Sequence, residues 1–185
     1  QMQPPLLYLD CKPSNVMKDS DGKIRLIDFG SALEAHTPVT KGISASPGYA
    51  APEQLSREIE KRCVDVRTDV FGLGRTLYAL LCGADLSRPP YAFASLKSRC
   101  PQVGDELEQI IMRATAREPE ARFQTMEAFL QVLLALQEAY TVDDTGKKAP
   151  FWQKVRRKKT ADCEVLQSVL RTAKPPGRWM FALLA

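Results

Sequence analysis

This sequence has no apolar run near the roughly 18–20 residues that a membrane-spanning helix needs, so no span is expected within it. Its first residues do not read as a secretory signal, so none is expected there. Its five cysteines, Cys11, Cys63, Cys82, Cys100 and Cys163, are odd in number, and no two form a C-x-x-C pair. That argues against a disulfide framework or a zinc site and for reduced thiols in the cytosol. No G-x-G-x-x-G phosphate loop occurs; the Gly-Leu-Gly at residues 72–74 lies inside an apolar helical pattern, where glycine serves packing. The one histidine, His36, sits in a loop and is assigned no role. No internal repeat is visible.

What is there is enough for one well-buried domain and a tail. The chain has 185 residues, 44% hydrophobic and 26% charged, the composition of a soluble globular protein. The net charge of +4 is unevenly spread. Residues 141–185 carry ten Lys/Arg against four Asp/Glu, which makes the tail about +6 and the rest about −2. The main body is therefore no basic surface for nucleic acid. The chain starts with Gln1, which reads as a fragment.

Residues 16–28 read as a β-hairpin around Asp21-Gly22, a strong turn signal, with Ile24, Leu26 and Asp28 alternating in the second strand. From Gly30 to about Ala51 periodicity is lost, giving a loop of roughly 20 residues, a length that usually carries function. From Arg67 the apolar positions Val70, Leu73, Leu77, Leu80 and Leu81 recur at helical spacing, broadened by Phe71 and Tyr78. Asp65 or Thr68 can cap this helix and Gly83 can end it. Being apolar nearly all round, it is expected at the centre of the domain. Arg88-Pro89-Pro90 breaks the chain. Residues 105–116 and 125–139 predict two more helices, joined by "REPEARFQT". A domain boundary is placed near residue 141.

The chemistry-bearing stretch is "YLDCKPSNVM", residues 8–17. Asp10, Lys12 and Asn15 precede one strand of the hairpin, and Asp28-Phe29-Gly30 follows the other. An Asn and an Asp at adjacent strand ends can converge on one Mg²⁺, which takes a few oxygen ligands and completes its shell with phosphate and water. Asp10 is then free to orient a hydroxyl, and Lys12 to neutralise a transferred phosphoryl group. Read alone, the same residues also suit an ordinary polar turn. Glu53, Asp69 and Arg122, read alone, are exposed helix charges.

In order and spacing, "YLDCKPSNVM", "LIDFGSA", "SPGYAAPEQL", "RTDVFGLGRTLYALLCG" and "EPEARF" resemble the eukaryotic-type (Hanks-type) serine/threonine protein kinases. "KPSN" and "GYAAPEQ" look most like bacterial members. The resemblance covers residues 8 to about 139. It implies an α+β, mostly helical C-terminal lobe, with a short hairpin carrying the catalytic and Asp-Phe-Gly loops and the N-lobe absent. Residues 1–140 would be that lobe and 141–185 a basic linker or tail.

By the same resemblance, Asp10 is similar to the catalytic base and Lys12 to the lysine at the transferring phosphoryl. Asn15 and Asp28 are similar to the Mg²⁺ ligands that hold ATP. Ser46 matches a hydroxyl that holds Asp10 and Lys12. Glu53 and Arg122 match a buried ion pair, and Asp69 the acid that braces the catalytic loop. Phe29 and Gly30 complete the metal-binding tripeptide.

There are departures. The family's His-Arg before the catalytic Asp is Tyr8-Leu9 here. Without that arginine, switching by loop phosphorylation is less expected, though Thr37, Thr40 and Ser44 remain candidate sites. The Gly-rich loop, strand lysine and helix glutamate of an N-lobe are missing. Apolar surface should be exposed where that lobe would sit.

The expected activity is transfer of the ATP γ-phosphoryl group to Ser/Thr hydroxyls of a protein substrate. A pseudokinase scaffold and a small-molecule phosphotransferase of kinase-like fold are the alternatives. Partners would be the protein substrate and the missing N-terminal lobe, not nucleic acid. The expected location is cytosolic. The tail "KKAPFWQKVRRKK" reads either as a juxtamembrane segment drawn to anionic lipid or as a solvated linker. In the first reading "RWMFALLA" would begin a membrane span. In the second, residues 165–170 form a marginal helix.

Overall fold

The computed structural model describes residues 5–35, 45–56, 64–89 and 94–140. The expectations for His36, Thr37, Thr40, Ser44, Pro90 and the tail lie outside them.

Two antiparallel strand pairs stand beside a set of helices. Strand β1 (Leu6–Leu7) pairs with β4 (Leu33–Glu34), and β2 (Val16–Lys18) with β3 (Ile24–Leu26). In the second pair Val16 faces Leu26 and Lys18 faces Ile24. Asp19 builds the turn, its Oδ1 accepting from the N–H groups of Asp21 at 3.0 Å and Lys23 at 2.8 Å. Gly22 takes the φ of 79° that this turn requires. The hairpin is thus where the alternation and the Asp-Gly pair place it, but β3 stops at Leu26, before Asp28. The stretch after Gly30 is not wholly irregular, because β4 lies in it and pairs back to β1. Two-residue strands are too short to show a period, so this pairing was invisible in sequence.

Helix α1 (Pro52–Leu55) is a single turn, and α2 (Val66–Cys82) is the long central helix. Asp65 caps α2, with its Oδ1 accepting the Arg67 N–H at 2.8 Å. Gly83 ends it in the left-handed region at φ 59°. Then come α3 (Leu96–Arg99), α4 (Asp105–Ala114) and α5 (Met126–Tyr140). Helix α4 closes two residues before the expected end, where the Thr115 hydroxyl turns back to the Ile111 carbonyl at 2.8 Å.

Helices α3, α4 and α5 all pack on α2. Val70, Leu77 and Tyr78 of α2 meet Leu96, Ile111 and Phe129 in one core. Each such side chain stabilises the fold by roughly 1.5–3 kcal/mol through burial. The centrality of α2 follows from its apolar surface. The glycines at 72 and 74 serve packing. A Cβ at Gly74 would lie 2.9 Å from both the Ala114 Cβ and the Thr115 Cγ2, so α2 and α4 touch there. Apolar side chains are exposed on and beside the hairpin, with Met17 52%, Ile27 37% and Phe29 43% accessible.

The two helical glycines should therefore respond in opposite ways. Gly74→Ala should destabilise the fold by about 1–3 kcal/mol through overpacking. At Gly72 an added Cβ meets Cys11 at ordinary contact distances, its Cβ at 3.4 Å and its backbone O and N at 3.8 and 3.9 Å. Gly72→Ala should be neutral, or gain up to about 1 kcal/mol of helix propensity. Urea midpoints of the two variants check this.

Candidate active site

Asp10 lies at the centre of a polar cluster with only 8% of its surface exposed. Lys12 Nζ donates to Asp10 Oδ2 and to Ser46 Oγ, both at 2.7 Å. Ser46 Oγ in turn donates to Asp10 Oδ1 at 2.7 Å. Asn15 Nδ2 donates to the Asp10 carbonyl at 3.0 Å and to Asp10 Oδ2 at 3.1 Å. The polar-turn reading fails here, since Asp10 and Asn15 are both buried.

The loop carrying this cluster is held from below by α2. Asp69 accepts the Tyr8 N–H on Oδ2 at 2.8 Å and the Leu9 N–H on Oδ1 at 2.7 Å. Leu9 sits at φ 65°, a left-handed conformation costing an L-residue roughly 1–2 kcal/mol. The two charge-assisted bonds from Asp69 oppose that cost. The Leu9 carbonyl accepts from Gln54 Nε2 at 2.8 Å, and the Cys11 carbonyl from Thr76 Oγ1 at 3.0 Å.

Gln54 and Thr76 were not singled out by sequence reasoning. For Thr76 a signal existed. Asp69, Gly72 and Thr76 fall at i, i+3 and i+7, a stripe of polar and small residues on an otherwise apolar helix. Gln54 had no such signal, because its role depends on the fold bringing α1 beneath Leu9.

Across the hairpin the Ile27 N–H donates to the Asn15 carbonyl at 3.0 Å. Asp28 therefore follows directly on the residue opposite Asn15, at the same end of the hairpin. It is exposed, at φ 63°, and its Oδ1 accepts the Gly30 N–H at 3.2 Å. Tyr8 ties the two loops together. Its hydroxyl donates to the Ile27 carbonyl, and its ring meets that of Phe29 edge-on at 5.2 Å. Burial pushes the Tyr8 phenol up to about 12, so it stays a donor at neutral pH. Among the described residues no group of three or more His, Cys, Asp or Glu forms a metal cluster.

Arg122 is fully buried, and all five of its N–H donors are used. It grips Glu53 with two bonds of 2.6 and 2.9 Å, and reaches the carbonyls of Arg67, Ala116 and Arg117. Thr68 Oγ1 adds a third bond to Glu53 at 2.9 Å, and the guanidinium lies over the Phe71 ring. The exposed-charge reading is wrong for this pair.

A protein kinase domain profile matches residues 3–141. The chain belongs to the protein kinase family. Rhodopsin kinase GRK1 of Rattus norvegicus is 36% identical over 132 residues, covering 70% of this chain and 21% of that protein. Serine/threonine-protein kinase Pkn1 of Myxococcus xanthus is 35% identical over 155 residues, covering 70% of this chain and 21% of that protein. Among solved structures, the ROP18 kinase domain in complex with AMP-PNP and sucrose superposes with a TM-score of 0.53 at 26% identity. That match covers 73% of this chain and 38% of that one. This chain thus spans about a fifth of those two curated relatives. Its mostly helical architecture, with few strands, is that of the protein kinase fold.

Two tests follow from this kinase geometry. Arg122→Met strands the buried Glu53 carboxylate and should cost about 3–5 kcal/mol, read by denaturant unfolding. The second concerns Asp69. Burial pushes its carboxyl up from 3.8 to about 6, against the downward pull of the Leu9 and Tyr8 N–H groups. The folded chain then binds more protons than the unfolded one between those values. Asp69 favours folding most below pH 4, and its contribution falls as pH rises to about 6. The stability of wild type relative to Asp69→Asn should fall as pH rises across that window, as measured by unfolding at each pH.

Proposed function

We propose that the chain is the C-terminal lobe, with a basic tail, of a protein kinase that transfers the γ-phosphoryl group of Mg-ATP to Ser/Thr hydroxyls of proteins. The observation that carries this reading is the Asp10 carboxylate, buried yet bound by Lys12 and Ser46 at 2.7 Å each. A carboxylate so placed can accept a hydroxyl's hydrogen bond, as it accepts that of Ser46. Lys12 stands beside it as the cation for a transferring anion. Serine/threonine kinases among the relatives support the substrate class.

The donor set fits the metal implied by the family. Asn15 commits its Nδ2 to Asp10, which leaves its Oδ1 to offer, and Asp28 presents an exposed carboxylate at the same hairpin end. One amide and one carboxylate suit a hard cation that takes its remaining ligands from phosphate and water. Mg-ATP, when bound there, supplies the phosphoryl group and the charge neutralisation around it. The chain's own residues do the rest. Asp10 orients the attacking hydroxyl and takes its proton, Lys12 screens the transferred group, and Ser46 keeps both side chains in line. Exposed Met17, Ile27 and Phe29 support an apolar partner surface above the hairpin, which we assign to an N-terminal lobe. The proposal includes a cytosolic location, supported by the odd cysteine count and the lack of a C-x-x-C spacing in the sequence. The tail is read as a solvated linker, with contact to anionic lipid as the alternative.

The full-length protein should label serine and threonine when given γ-labelled ATP. Asp10→Ala should lower that rate by about 10²–10⁴-fold, the scale of a general base. Equal rates for the two would sink the reading. Leu9 is 4% exposed and carries no cation to pair with a phosphorylated loop. Treatment with phosphatase should accordingly leave the rate within about twofold.

A further inference from the structure

Beside Lys12 and Ser46 a cavity of about 520 Å³ opens between the catalytic loop and the turn that follows α2. That is the size range of a ligand pocket. Its walls are firmly built. Gly48, at φ 84°, packs so closely under the Leu86 carbonyl that a Cβ there would lie 1.8 Å from the oxygen. Arg75, rising from α2 with 4% of its surface exposed, donates from Nε to the Gly48 carbonyl at 2.6 Å. The Gly48–Leu86 contact ties the segment carrying Pro47 and Tyr49 to the turn carrying Asp85 and Ser87, all of which line the cavity.

Its chemistry is lopsided. Pro47, Leu80 and Ala84 supply apolar surface, and Lys12 stands at the catalytic end. The Lys12 charge is already matched by Asp10 at 2.7 Å. Among the described residues, Asp85 is the only acid lining the cavity. Ser87, donating through its hydroxyl and its N–H, holds the Asp85 carboxyl below the usual carboxylate range, so it is charged. Among the described residues its one cationic contact is Arg88, by a single 3.5 Å approach in which the Arg88 and Asp85 side chains are 85% and 58% exposed. A pair this exposed is weak and yields to a competing cation. A partly apolar cavity with an exposed carboxylate on its wall matches a long side chain with an apolar stem and a positive head.

We propose that this pocket selects an arginine or lysine of the substrate protein close to the phosphorylated residue, with Asp85 as the specificity-determining group. The assignment rests on the kinase reading above and names the substrate class for it. Arg88 shows within the chain the contact that a substrate cation would take over.

The test gives the full-length protein Mg-ATP and a serine peptide library varied at each flanking position. At one position Arg or Lys should be favoured over Gln by about fivefold in kcat/KM, the scale of a partly exposed ion pair. In Asp85→Asn that ratio should fall to about one, and in Asp85→Lys it should turn to favour Glu. An active wild type indifferent to basic residues overturns the pocket assignment and leaves the kinase reading standing. So does a preference that survives in Asp85→Asn. A wild type that labels no peptide or protein overturns both. The wild-type ratio is decisive whether or not either variant folds.

Discussion

The site depends on one carboxylate meeting two adjacent backbone N–H groups. Asp69, near the start of the buried central helix, holds Tyr8 and Leu9 at 2.8 and 2.7 Å and keeps Leu9 at φ 65°. That left-handed kink turns the chain sharply just before Asp10. Thr76 on the same helix face and Gln54 on α1 hold the next carbonyls. The loop borrows its rigidity from α2, and α2 is rigid because α3, α4 and α5 pack around it. Strain of this kind persists only where neighbouring structure over-determines it, and such places are commonly functional.

The Arg122–Glu53 pair works at a second level. It joins the loop before α5 to the segment that carries Ser46 and Gln54. Taking both charges out of water is costly, and the pair is weak evidence of net stability. Its value is geometric. A guanidinium with five donors in a fixed fork satisfies Glu53 and three carbonyls at once, so α1, the start of α2 and the loop after α4 are held in one arrangement. That arrangement puts Ser46 within 2.7 Å of Asp10 across 36 residues of chain.

Much of this was legible in the sequence. Asp21-Gly22 marked the hairpin, and the three- and four-residue recurrence from Val70 to Leu81 marked the buried helix. Both are local signals, set by backbone preference and by burial on one face. Strands β1 and β4 and helices α1 and α3 were not legible. They run two to four residues, shorter than the period that would reveal them. Among the site residues Asp10, Lys12 and Asn15 stood out because they are close in sequence. Glu53, Asp69 and Arg122 had meaning only through the family pattern, since each alone looks like a surface charge.

The sequence alone determined the residue chemistry: one acid, one cation and one amide within six positions, an apolar helix, and a tail of opposite charge to the body. Those follow from composition and short-range spacing, which tertiary contacts do not alter. Tertiary structure decided which polar side chains are buried and what they face. It set Ser46 against Asp10, Asp69 under Leu9, and Asp85 on the wall of the cavity beside Lys12. Those outcomes depend on helices closing around α2 and bringing together residues tens of positions apart, and no local pattern encodes such distances.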